Sequence, residues 1–185
     1  MKRILIFIVA VMLVSCSVKS EKKIDTNNVT FTTTADSRLY FKNVRQIYYD
    51  REDQQNTKLE IFRFGKRNKS ATVPVINVAL VNNWRYDEAY VIIEPNAYLD
   101  TASQIEVFWQ EKAKPDAKGT YVFAFGSKEN HFRFATQLYE SILAKHTLQL
   151  QDSTGKLLNL FQTETDRENF RKAMVDYYRL VNKYY

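Results

Sequence analysis

The single cysteine in 185 residues, Cys16, excludes an internal disulfide and, lying ahead of the expected domain, leaves that domain no thiolate metal site or cysteine nucleophile, so stability has to come from side-chain packing. The 12 Phe, 12 Tyr and 2 Trp supply material for that packing, and the length suits one domain with a sizeable core. A formal net charge of +6 with no nucleic-acid-binding motif leaves anionic lipid headgroups or acidic glycans as electrostatic partners, not nucleic acid.

Lys2 and Arg3 precede residues 4–14, eleven in a row without a polar side chain. That length fits the apolar centre of a secretory signal, whereas a helix needs about 20 apolar residues to cross a bilayer. Ser15 offers the small side chain that a signal peptidase accepts, and Cys16 follows at once. Leu13, Val14, Ser15 and Cys16 resemble the lipobox of bacterial lipoproteins, a likeness confined to the first seventeen residues. The resemblance implies that residues 1–15 are a signal peptide removed before Cys16, that the Cys16 sulfur carries a diacylglyceryl group, and that the new amine is acylated with a palmitate-type chain. Two or three acyl chains anchor a protein stably where one does so only marginally. Ser17 in place of an aspartate points, within the same resemblance, to the outer membrane of the cell envelope. The expected mature chain has 170 residues, and loss of Lys2 and Arg3 lowers its charge from +6 to +4.

Residues 16–28 comprise the lipidated cysteine and a polar stretch with Lys19, Lys22 and Lys23, expected to be a flexible tether. A single globular domain is expected over residues 29–185. Its hydrophobic period is first two: strands are predicted at residues 29–34, 38–49, 58–64, 73–81, 89–94, 105–110 and 120–126. In the 38–49 segment Asn43 and Arg45 share a parity with Leu39, Phe41, Ile47 and Tyr49, which predicts a bulge near Asn43. Residues 73–81 are apolar on both faces and suit a central strand, with Pro74 at its start. Residues 50–56, 65–70, 82–88, 96–102 and 111–119 read as loops. Phe132, Ala135, Leu138, Tyr139 and Ile142 then fall at helical spacing, predicting a helix over 129–145 behind a Ser127 cap. A hairpin is predicted from 147–150 and 157–161 around Asp152-Ser153-Thr154-Gly155. Thr165 and Glu168 form a candidate capping box for a last helix that places Phe170, Ala173, Met174, Tyr177 and Val181 on one side. The expected fold class is α+β: a curved, mainly antiparallel sheet of about seven to nine strands with two packed amphipathic helices in the C-terminal third.

Catalytic patterns are scarce. His131 and His146 are expected near opposite ends of one helix, about 22 Å apart, and so do not share a metal within it. There is no Gly-x-Ser-x-Gly, and four glycines leave little material for oxyanion loops. Asp87, Glu88 and Glu94 are the carboxylates that would serve a glycoside hydrolase, although hairpin charges are ordinarily just solvated. Trp84, Arg85 and Tyr86 stand together in a predicted loop, and these residue types stack on sugars and dominate protein interfaces. The alternative for Trp84 is that it folds back to plug the core. Tyr48-Tyr49 and Tyr184-Tyr185 are weaker aromatic candidates, with one ring of an adjacent strand pair facing outward. Asp100-Thr101-Ala102 and Asp152-Ser153-Thr154 resemble the short O-glycan acceptor pattern of Bacteroidetes.

These features lead to an expected lipid-anchored envelope protein, a non-catalytic binding or structural module with Trp84, Arg85 and Tyr86 as its binding residues. No cofactor is expected. The partners are the membrane, through lipid on Cys16, and an envelope protein or glycan. The competing expectation is a glycan-active hydrolase with a carboxylate pair. The domain after the export signal resembles no family.

Overall fold

The computed structural model describes residues 28–99, 104–151 and 155–183. The expected signal peptide, Cys16 and nearly all of the expected tether lie outside these residues, as do both acceptor-like tripeptides and Tyr184-Tyr185.

The architecture is α+β, but its strands form two sheets. Strands β1 (Tyr49–Gln54), β2 (Leu59–Phe64), β3 (Ile76–Asn83) and β4 (Glu88–Pro95) make an antiparallel meander in that order. Strands β5 (Gln104–Gln110), β6 (Lys118–Ala124), β7 (Thr147–Gln151) and β8 (Leu157–Asn159) make a second antiparallel sheet, ordered β6-β5-β7-β8. Helices α1 (Ala35–Tyr40), α2 (Lys128–Leu143) and α3 (Glu164–Leu180) complete the domain.

The expectation of one sheet with seven to nine strands is therefore corrected to two sheets of four. An imidazole helps explain the break. His131 projects from α2, accepts the Ile93 N–H of β4 on Nδ1 at 3.0 Å, and packs its ring against Phe123 of β6 at 4.9 Å. A ring thus occupies the place at Ile93 where a neighbouring strand would accept that bond. The isolated pairing of Thr32 with Glu88 is all that remains of the strand expected at 29–34.

The expected strand at 38–49 is helical instead. Thr34 caps α1: its Oγ1 accepts the Ser37 N–H, and the Ser37 hydroxyl oxygen accepts the Thr34 N–H. The helix continues as a π-turn at Phe41–Arg45 and a 3-10 turn at Gln46–Tyr48. No bulge is needed, because Asn43 and Arg45 never share a pleated face with Phe41. Residues 50–56, expected as a loop, instead supply most of β1. Their side chains are polar on both faces, which hides the period of two that marks a half-buried strand. The cap of α3 lies two residues before the expected one: Thr163 accepts the Asp166 N–H, and the Asp166 carboxylate accepts the Thr163 N–H. Ser127 does sit at the N-cap of α2, but its side chain makes no capping bond to the helix backbone.

The remaining elements lie close to where the hydrophobic pattern puts them. β3 is the inner strand expected from its apolar run. Ile76, Val78 and Leu80 face the helices, while Ala79 and Val81 pack with Ile61 on the opposite face. The helices form one layer in the order α1, α3, α2. Ser37 of α1 donates its hydroxyl to the Leu180 carbonyl of α3 at 2.7 Å, and Phe132 and Tyr139 of α2 meet Tyr178 of α3 edge-on. Phe41 reaches down to Phe62 of β2, and Phe134 stacks on Phe123 of β6, so one core joins both sheets to all three helices.

Candidate functional site

The β1–β2 and β3–β4 turns stand side by side because Leu59 pairs with Asn83 at the ends of neighbouring strands. Each turn uses one residue in the left-handed region, Lys58 at φ 61° and Asp87 at φ 52°. Trp84, Arg85 and Tyr86 form the crest of the second turn, closed by a Tyr86 N–H bond to the Asn83 carbonyl. Trp84 does not fold back into the core: it is 49% exposed and Tyr86 is 63% exposed. The Lys58 ammonium lies 5.0 Å from the Trp84 ring centre, and the Arg85 guanidinium lies 5.5 Å from that of Tyr86. The crest thus presents two aromatic surfaces with a cation against each, an arrangement suited to stacking and to anionic or hydroxyl-rich partners.

Three carboxylates of the β3–β4 hairpin each face a cation, two beside the crest and Glu94 at the far end of β4. Asp87 pairs with Arg38 of α1 at 2.7 Å, and Arg38 also donates to Thr33. Glu88 pairs with Lys128 of α2 at 3.1 Å, and the same ammonium sits 4.6 Å from the Phe31 ring centre. Glu94 accepts from Arg63, which reaches Glu52 with its other arm, so the guanidinium joins β1, β2 and β4. The Glu94 bond is also the leading cause that raises the Arg63 pKa. These pairings fasten the ends of the meander to the helices and strap its outer face. They do not set two carboxylates against each other.

The two histidines serve separate places. Burial pushes the His131 pKa below its ordinary value, in keeping with a neutral ring whose Nδ1 accepts from Ile93. His146, just past α2, stacks on Trp109 at 4.8 Å, and its Nδ1 lies 3.1 Å from the Ser141 hydroxyl, which meets the Tyr121 hydroxyl at 2.9 Å. Ser141 is only 1% exposed, and this Tyr-Ser-His chain ties the end of α2 to the second sheet. Gly119 is obligatory there, since a Cβ would lie 2.8 Å from the Trp109 indole nitrogen. Among the described residues, no cluster of three or more His, Cys, Asp or Glu is arranged to hold a metal ion, and no helix is long and apolar enough to cross a membrane.

A second feature, on the helical side of the molecule, has no counterpart in the sequence reading. Asp176 of α3 is 2% exposed and accepts two bonds from Arg45, at 2.8 and 2.9 Å, and one from the Tyr49 hydroxyl at 2.8 Å. The bonds that Arg45 donates to Asp176 lead the causes that raise the Arg45 pKa. Burial, followed by the Asp176 charge, holds the Tyr49 hydroxyl far above the usual range. Above this lock opens a cleft of about 490 Å³ between Ile47, Tyr48, Phe64, Lys66 and Lys172. Tyr48 is exposed and Tyr49 buried, in the expected in-and-out alternation, although Tyr48 belongs to a 3-10 turn. The cleft is invisible in the sequence because the 38–49 segment carries the apolar period of a strand while it folds as a helix. A comparison of the whole chain with protein-family models, with curated proteins and with solved structures finds no match.

Proposed function

We propose that this chain is a lipid-anchored protein of the bacterial cell envelope, held at the outer membrane through acyl chains on Cys16, and that its domain is a non-catalytic binding module. The observation that carries the binding reading is the crest of the β3–β4 turn. Trp84 and Tyr86 stand out into solvent with Lys58 and Arg85 against their rings, although the chain has a large aromatic core that could have taken them in. Large aromatic rings held at a turn contribute contact area at little entropic cost, which makes them common anchors of protein and glycan recognition. The competing hydrolase needs two carboxylates about 5–10 Å apart across a substrate, whereas Asp87, Glu88 and Glu94 each face a cation.

The test is a comparative pull-down from the protein's own membranes. The lipidated wild type is expected to recover a discrete envelope protein or glycan, and the Trp84→Ala/Tyr86→Ala variant is expected to lose it by at least about tenfold, equivalent to 1.4 kcal/mol. Equal recovery by both would remove the crest from the binding surface. Mass spectrometry of the mature N-terminus checks the anchor separately, since an unmodified Cys16 thiol would overturn it.

A further inference from the structure

The outward side of the α1 stretch carries more large apolar surface than any other part of the described chain. Leu39, Tyr40, Val44, Ile47 and Tyr48 are all exposed, Ile47 at 76%. They form one stripe because the backbone is wound to suit it. In the π-turn the Gln46 N–H reaches back five residues to the Phe41 carbonyl, so residues four and five apart share a side. Only Ser37 and Phe41 of residues 35–48 are buried, which inverts the usual economy of a surface helix. Cations surround the stripe. Lys42 lies on the stretch itself, and Lys66 and Lys172 line the cleft at its lower end, Lys172 with Glu168 of its own helix 3.5 Å away. Of the nearby acids, Asp50, which also lines the cleft, is engaged by Arg67 and Lys69, Asp176 by Arg45 and Tyr49, and Glu168 by Arg171 and Lys172, while Asp36 stands exposed on α1.

We propose that this face lies flat on an anionic phospholipid bilayer, with the stripe in the headgroup–acyl boundary and the cleft beside Tyr48 receiving a lipid phosphate. The inference rests on the lipid-anchor reading, which brings the face to the surface. Eleven residues lie between Cys16 and Asn28, which limits their separation to at most about 43 Å. The stripe begins eleven residues further on, so the anchor holds it at high effective concentration over the bilayer. An apolar stripe rimmed by lysines, with tyrosines that suit the interface, is the composition of helices that rest in the headgroup region. The cleft of about 490 Å³ is lined by Lys66 and Lys172 together with Ile47, Tyr48 and Phe64, and its one carboxylate, Asp50, is neutralised by Arg67 and Lys69, which suits a phosphate carried on a hydrocarbon stem.

The test places a tryptophan in the stripe. Ile47→Trp at this exposed position leaves the core untouched, and its fold is checked by circular dichroism. The mature protein is reconstituted in vesicles of phosphatidylethanolamine and phosphatidylglycerol with brominated acyl chains. The emission added by the introduced indole, over the wild-type background of Trp84 and Trp109, is expected to shift to shorter wavelength and to be quenched. Adding Lys66→Glu and Lys172→Glu is expected to remove most of that quenching, as is replacing the lipid with phosphatidylcholine. Unquenched, water-like emission from the introduced indole overturns the proposal. So does a short-wavelength emission that persists in phosphatidylcholine together with cross-linking between copies, which would mark a contact between protein chains. Failure of the anchor is distinguishable: an unacylated Cys16 overturns the lipoprotein reading, while quenching of the same indole on added anionic vesicles still decides the face.

Discussion

The first and last helices use the same opening device and reach opposite ends. Thr34 and Thr163 each close a reciprocal capping bond with the residue three further on. α3 then buries Phe170, Ala173, Met174, Tyr177, Tyr178 and Leu180 against the first sheet and the two other helices. The α1 stretch has a comparable supply of large apolar side chains but buries only Phe41 among them. Apolar spacing reports which residues avoid water only where the chain supplies its own cover. α3 has that cover, and the stripe on α1 lies uncovered within the described chain.

The contact that joins the two helices is the first place to break this contrast. Asp176 belongs to α3 and Arg45 to the α1 stretch, and the buried carboxylate accepts three bonds. Asp176→Ala leaves a half-buried guanidinium without its partner and a Tyr49 hydroxyl without its acceptor. The expected cost is about 3–5 kcal/mol in urea unfolding. A loss below about 1 kcal/mol would mean that the lock contributes little and that the α1 stretch is held by Phe41 and the Ser37–Leu180 bond.

Next come the apolar positions themselves. Met174 is fully buried, and Met174→Ala is expected to cost about 2–5 kcal/mol through lost contacts and a residual cavity. Ile47→Ala removes a comparable side chain from the exposed stripe and is expected to stay within about 0.5 kcal/mol. Similar costs at the two sites would show that the stripe is covered in solution.

The same contrast explains what is legible in the sequence. β2 to β7, α2 and α3 announce themselves because each has one face, or in β3 two, turned to other parts of the chain, and β8 by its place beyond the Asp152–Gly155 turn signal. Residues 50–54 do not read as a strand because an edge strand with Asp, Arg, Glu, Asp and Gln has no apolar alternation. Residues 38–48 read as one falsely, because Leu39, Phe41, Ile47 and Tyr49 alternate by coincidence. Two of them are inside and two outside, in a helix that changes pitch midway. The split into two sheets is illegible, since the contacts at the break, such as His131 with Ile93, join residues far apart in the chain. At the candidate site, the Trp84-Arg85-Tyr86 crest follows from turn placement, whereas the Tyr48 cleft needs the correct fold of α1 before it can exist.

His131 extends the contrast to α2, whose cover includes both sheets. Burial lowers its pKa in the fold, so the unfolded chain takes up a proton first as pH falls below the ordinary value of 6.5. Stability should therefore be fully present above that pH and decline below it, until the folded ring is protonated as well. A proton on Nδ1 also ends its bond from Ile93, leaving a strand N–H without an acceptor at about 1–3 kcal/mol. His131→Gln should flatten the dependence between neutral pH and about pH 5 in thermal unfolding, with the amide oxygen taking the Ile93 bond. An unchanged slope would place the titrating group elsewhere.

The finest test sets the two caps against each other. Thr163→Ala removes the acceptor for the Asp166 N–H at the start of a helix that the whole core depends on, so its full cost of about 1 kcal/mol should appear in global unfolding. Thr34→Ala removes the same bond from α1 and a further one from Asn182 at 3.2 Å, yet α1 is short and one-sided. Its loss should appear chiefly as faster amide exchange over residues 35–41, because opening that turn uncovers Ser37 and Phe41 while α3 stays seated on the sheets. If Thr34→Ala lowers the global midpoint as far as Thr163→Ala does, the α1 stretch folds with the core, and its exposed stripe is carried by an element as firmly built as α3.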